Sequence, residues 1–241
     1  MVRRGFSFIE LIVSIVVIGI VFMSVPLILT ETAKSNTFSI RQEAIMAGTT
    51  SIVNVLGYRW DEADTNQTLN GGFAKVCDVT GGAGNLSRTV TDPNRRVGHF
   101  RGEYRRKFFD YTYLLTPDPD GIRPGITYAT PSASLGAETS DGGNFDDIDD
   151  FDGTSSTITG GTSQHYKLDY NLSTSVYYIT DNFSYTMSPI PTTWAISNSD
   201  AGQMTNIKMV KTTVTTSDGE SVILYAFSSN IGEYKILHRT F

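Results

Sequence analysis

The chain has a single cysteine, Cys77, and only three histidines, His99, His165 and His238. One thiol cannot close an intramolecular disulfide or assemble a thiolate metal site by itself. It reads instead as a small buried hydrophobe. The histidines are scattered and none neighbours Cys77 in sequence, so no thiol–imidazole pairing of the kind used in nucleophilic catalysis stands out. Basic residues are outnumbered, 19 against 25 acidic, for a formal net charge of −6. A general nucleic-acid binder needs positive charge to displace counterions from phosphates, and this balance argues against one. No internal repeat is evident, and Gly81-Gly82-Ala83-Gly84 lacks the strand–turn–helix surroundings of a nucleotide-binding fingerprint. With no nucleophile–base or metal-ligand spacing, an enzyme is not the expectation. The length suits one fair-sized globular domain beside an anchoring segment, and is too short for two large domains.

What the chain does have is one long uncharged apolar run, residues 11–29, directly after Met1-Val2-Arg3-Arg4-Gly5-Phe6-Ser7-Phe8-Ile9-Glu10. As a helix this run is about 28 Å long, close to the hydrocarbon thickness of a bilayer. Arg3 and Arg4 favour a cytoplasmic N-terminal end, with the bulk of the chain across the membrane. A secretory signal peptide would have a shorter apolar core and a small-residue cleavage site after it. A plain one-pass anchor accounts for length and orientation but not for Glu10, a carboxylate that costs a few kcal/mol near the apolar zone unless it finds a partner. The helix macrodipole offers Glu10 a blander role as a negative charge near an N-terminus.

Gly5-Phe6-Ser7-Phe8-Ile9-Glu10-Leu11 strongly resembles the processing site of type IV prepilins and type II secretion pseudopilins. The resemblance implies that a membrane peptidase cuts after Gly5 and methylates the new N-terminal Phe6. It also implies that Glu10 pairs with the freed amine of Phe6 on a neighbouring subunit. Such a pair neutralises two charges that neither subunit buries cheaply alone. Gly19 and Pro26 sit near positions where the family often has a helix-softening glycine and proline, Pro26 one residue early. The implied partners are other pilin or pseudopilin subunits, the prepilin peptidase and the inner membrane. The implied location is a single-pass bacterial inner membrane protein with a periplasmic C-terminal domain, later part of a pilus or pseudopilus.

Beyond Thr30 the pattern turns amphipathic, with Phe38, Ile45, Met46, Ile52, Val53 and Leu56 at helical spacing and Gly57 as a C-terminal cap. This stripe is expected to be core. From Tyr58 onward short alternating runs take over. Strands are expected at 109–115, at 176–180 with a hairpin partner at 183–187, and at 233–239. The clearest hairpin joins 207–216 to 221–228 across Ser217-Asp218-Gly219-Glu220, since Asp-Gly between alternating runs is a strong turn signal. The expected fold is α+β: a long N-terminal helix, transmembrane then amphipathic, packed on an antiparallel sheet. Residues 1–5 form the leader, 6–29 the transmembrane and assembly helix, 30–57 its amphipathic continuation, and 58–241 the β-rich periplasmic domain. Residues 81–106 and 117–161, rich in Gly, Pro, Asp and Thr, read as long loops.

Within the second loop lies Phe145-Asp146-Asp147-Ile148-Asp149-Asp150-Phe151-Asp152-Gly153. Phe145, Ile148 and Phe151 recur every third residue, so one helical or 3₁₀ turn docks them inward and points the aspartates outward. The segment reads either as a solvated acidic turn or as a calcium site, with Asp146, Asp147, Asp149, Asp150 and Asp152 supplying hard oxygen ligands. It is not an EF-hand loop, because aligning Gly153 puts Ile148 at the first ligand position and Thr159 at the last. The acidic run and the later Ser229-Asn230-Ile231 also resemble features of MSHA-type minor pilus subunits. Arg95, Arg96, Arg101, Arg105, Arg106 and Lys107 interleave with Phe100, Tyr104 and Phe108, a mixture that can stack on single strands but more often forms a solvated face or subunit contact. Asn66 and Asn171 each sit in an Asp-x-Asn-x-Ser/Thr context. The function expected is a minor pilin or pseudopilin assembled into a filament. The alternative is a membrane-anchored periplasmic ligand-binding domain that does not polymerise.

Overall fold

A computed structural model of the chain describes residues 7–64, 77–79, 128–138, 142–161, 166–180 and 197–232. The expected strands at 109–115, 183–187 and 233–239 lie outside the described residues, as do the basic–aromatic cluster, Asn66, Gly5 and Phe6.

One helix, α1, runs unbroken over Phe8–Leu56, 49 residues, with Ser7 at its N-cap and Pro26 inside it. Its first half carries Ile, Val, Leu and Phe on every side, and these side chains are exposed. Hydroxyls in this stretch turn back onto the helix itself: Ser14 donates to the carbonyl of Glu10 (2.7 Å) and Thr30 to that of Leu27 (2.8 Å). Backbone and hydroxyl groups satisfied within one segment are what a bilayer requires. Gly57 ends the helix as expected, but in the right-handed region (φ −76°), with its N–H to the carbonyl of Asn54.

The expected hairpin is present. β3 (Ile207–Thr216) and β4 (Ser221–Ser229) pair antiparallel, from Ile207 opposite Ser229 to Thr215 opposite Ser221. Gly219 takes the positive φ (90°) that its turn needs. β2 (Tyr170–Tyr178) pairs with β3 and begins earlier than the expected 176–180. A short β1 (Ser155–Ile158) pairs with β2 inside what reads as loop, giving a meander in the order β1-β2-β3-β4. Asn171, in the second Asp-x-Asn-x-Ser/Thr context, sits in mid-strand, accepting from the Thr157 hydroxyl at 2.9 Å.

The sheet packs against the second half of α1. Ala44 and Ala47 meet Tyr170, Leu172 and Val214; Ile52 and Val55 meet Val176, Val210 and Ile148. Here the structure corrects the sequence reading. Phe38, Ile45, Met46 and Val53 are not core but exposed, while Ile52 is buried and Leu56 packs at the core's margin. The face turned to the sheet is instead the small one, with Ile40, Ala44, Ala47, Gly48, Ile52 and Val55 at three- and four-residue intervals. Small side chains let the helix lie close to a sheet whose own inward residues are large. Arg41 adds a bidentate pair to Glu220 in the β3–β4 turn (2.7 and 3.0 Å), an exposed link of modest worth.

Candidate functional site

Two places carry the residues singled out by sequence. The first is the helix surface. Glu10 lies in the first turn of α1, exposed, with its N–H donating to the carbonyl of Ser7 at 3.0 Å. From Phe8 onward the surface is apolar all round, with Phe22 77% and Met23 84% exposed. Above this stretch the apolar surface narrows without ending. Phe38 and Ile45 stand two turns apart, as do Met46 and Val53, and all four are exposed, Met46 68%. The second half of the helix therefore carries exposed apolar residues besides those buried against its own sheet.

The second place is the acidic segment. A 3₁₀ turn spans Asp149–Phe151, as the three-residue apolar spacing predicts, with Ile148 buried and Phe151 against Tyr58 (ring centroids 4.9 Å). Three of the five aspartates do the opposite of what was expected. Asp147, Asp149 and Asp150 are buried; Asp146 is exposed and Asp152 half-buried. The reason is a cation that the local sequence does not contain. Lys208 of β3, itself fully buried, inserts its Nζ among the carboxylates, bonding Asp61 Oδ2 (3.0 Å), Asp149 Oδ1 and the carbonyl of Trp60 (2.7 Å). The Nζ also lies 4.4 Å from the centre of the Trp60 ring and 5.6 Å from that of Tyr178.

The carboxylates are further tied by backbone donors. Asp147 accepts the N–H groups of Glu62 (2.5 Å), Asp149 (2.8 Å) and Asp150 (3.1 Å). Asp150 accepts those of Asp146 (2.7 Å) and Asp147 (3.0 Å), and Asp152 that of Val176 (2.8 Å). Asp61 accepts from Thr130 N–H at 2.8 Å. The acidic run thus welds the end of α1, the segment around Ala129 and the sheet into one unit. Among the described residues no group of three or more His, Cys, Asp or Glu side chains is arranged to hold a metal ion.

Crowded carboxyls in a dry site retain protons. Burial, then the charge of Asp149, pushes Asp147 up to about 9. Burial also raises Asp149, against the pull of Lys208. Glu138, beside Asp149 and Asp150, is pushed up to about 7, first by burial. Burial lowers Lys208, but Asp61, Tyr178, Asp149 and Asp147 together hold it above its ordinary value. Lys208 was missed by the sequence reading, though the signal existed: it shares the inward register of β3 with Val210, Thr212 and Val214, where an unpaired ammonium would be untenable.

Residues 1–25 match the prokaryotic N-terminal methylation motif. This motif supports a type IV pilin-like family. The match spans Gly5, Phe6 and Glu10 together with the first part of α1. A helix long and apolar enough to cross a membrane and this motif fit a single-pass, membrane-anchored chain. No curated protein and no solved structure matches the chain. The pilin-like motif points to a structural subunit, and the long helix on a four-stranded antiparallel sheet is consistent with an α+β pilin fold.

Proposed function

We propose that this pilin-like chain is a minor pilin or pseudopilin, cut after Gly5, methylated at Phe6 and built into a filament through α1. The observation that carries this reading is the second apolar stripe. A plain anchor needs apolar surface only within the bilayer, yet Phe38, Ile45, Met46 and Val53 stay exposed beyond it. Helices of neighbouring subunits would cover that stripe, and the N-terminal amine of one Phe6 would meet Glu10 of another. The partners are other pilin or pseudopilin subunits, the prepilin peptidase and the inner membrane; the globular domain faces the periplasm.

The test is whether the chain appears in filaments sheared from cells that express the matching pilus or secretion system. Recovery in the sheared fraction with methylated Phe6 supports the reading. Processed chain confined to membranes under conditions where filaments form favours the alternative, an anchored binding domain that does not polymerise. For the cleavage step, Gly5→Val crowds the scissile bond and should leave a full-length precursor; methylated Phe6 in that variant would refute the assignment.

A further inference from the structure

The Lys208 site holds an amine and a carboxyl in direct contact, out of reach of water, beside a second carboxyl that keeps a proton. Side chains of Lys208 and Asp149 are 0% and 1% exposed, and Lys208 Nζ contacts Asp149 Oδ1 directly. Trp60 and Tyr178 wall the amine. No backbone or side-chain N–H reaches Asp149 Oδ2, which is also buried. We propose that Lys208 and Asp149 condense to an intramolecular amide, a covalent link between β3 and the 3₁₀ turn, with Asp147 as the proton donor.

The chemistry is available without any co-reactant. Condensation starts from the minor neutral pair, reached when a proton passes along the Lys208 N–H···Asp149 contact; burial favours that pair, while the net pull of the neighbours keeps Lys208 above its ordinary value. The surrounding carboxylates oppose that transfer, which makes the reaction a slow, single maturation event. The amine lone pair attacks Asp149 Cγ, forming the C–N bond. Asp147, which accepts the Asp149 N–H at 2.8 Å and keeps a proton through burial, stabilises the developing oxyanion and protonates the departing hydroxyl. The C–O bond breaks, one water leaves, and Asp147 recovers a proton from the nitrogen. Ammonium and carboxylate become amide and water, with no oxidant or reductant. Contact at the start supplies the positioning that an intermolecular condensation lacks.

Asp61 also touches Lys208 and accepts the Thr130 N–H; Asp149 is assigned as the acceptor because Asp147 lies two residues from it and accepts its N–H at 2.8 Å. The product joins positions 59 residues apart in the chain. It would fasten the central strand to the segment packed on the end of α1, where a force pulling on the sheet is transmitted to the helix.

The experiment uses full-length protein extracted from membranes in detergent and then denatured for intact mass measurement. Wild type should be lighter by one water than its sequence requires, after any N-terminal processing. Lys208→Arg keeps the charge, cannot form the amide, and carries the same processing, so it should have the linear mass. Tandem mass spectrometry of protease fragments should find a branched peptide joining Lys208 to Asp149. Asp147→Asn removes the proton donor while keeping size, and should slow the appearance of that peptide at least tenfold. Folded wild type with linear mass and no branched peptide overturns the proposal. A branch to Asp61, or a link formed as fast in Asp147→Asn, overturns the roles given to Asp149 and Asp147.

Discussion

At Gly48 the helix lies close against the sheet, and adding one methyl there sets two known effects against each other. A Cβ at position 48 would lie 2.6 Å from Leu224 Cδ1 and 2.9 Å from Val214 Cγ2. Both are below ordinary contact distance, so something must move. Leu224 is the tip of a flexible side chain on the edge strand and yields readily. Val214 is fully buried on the central strand β3, with a branched side chain that has little rotamer freedom. In favour of the substitution, Ala in a helix interior is about 1 kcal/mol better than Gly. Against it, overpacking a filled core costs about 1–3 kcal/mol. The expected balance for Gly48→Ala is a loss of about 1 kcal/mol, a fall of about 2–4 °C in Tm for a domain of this size. Gly48→Leu should cost several times more, because no rotamer of that size fits between α1 and the sheet. The assay is thermal unfolding of the detergent-solubilised full chain, followed by near-ultraviolet circular dichroism. A Gly48→Ala protein that melts higher than wild type would show that helix propensity governs this position and that the close approach does not.

The carboxyl cluster makes the domain weaken toward alkaline pH. Glu138 at about 7 and Asp147 at about 9 both lie above their unfolded values, so their stabilisation is complete in acid and is lost as pH rises through those values; melting temperatures that stay flat or climb from about pH 5 to about 9 would contradict this. Glu10→Val should leave membrane insertion and cleavage intact while lowering the share of chain in sheared filaments, since losing one member of a buried pair costs about 3–5 kcal/mol; equal incorporation at matched expression would leave Glu10 as a helix-end charge. Met46→Glu should leave the melting temperature of the domain within about 1 °C of wild type, as expected for an exposed position, yet reduce filament incorporation; a large loss of stability would show that the exposed stripe is covered by the chain itself.

Legibility differed by element for physical reasons. The β3–β4 hairpin was readable because Asp218-Gly219 supplies a turn conformation that few dipeptides tolerate, and the flanking alternation has only one register that buries Val210 and Val214. The length of α1 was readable for a similar reason: an uninterrupted apolar run followed by helical periodicity and Gly57. The facing of α1 was misread because apolar bulk was taken as the mark of burial. Two apolar stripes share the helix, and the one on the sheet side is built of Ala44, Ala47 and Gly48, whose value lies in what they leave room for. A hydrophobicity pattern weighs Met46 above Ala47, yet only shape complementarity with Tyr170 and Val214 decides which faces the sheet.

The outward placement of the aspartates was misread for a deeper reason. Five aspartates viewed in isolation repel each other, and the only relief that local sequence suggests is solvent or an added cation. The relief found here comes from Lys208, 59 residues beyond Asp149, and Asp61 enters the same pocket from the end of α1. A buried ammonium on β3 would be prohibitively costly without those carboxylates, and the carboxylates would be so without it. Each half of the pair looks anomalous alone: a lysine in an inward strand register, and aspartates beside a docked Ile148. Two such local anomalies of opposite sign in one chain are best explained by each other, and that inference needed no coordinates. What did need them is the finding that one amine serves several carboxyls, so that protons must make up the difference.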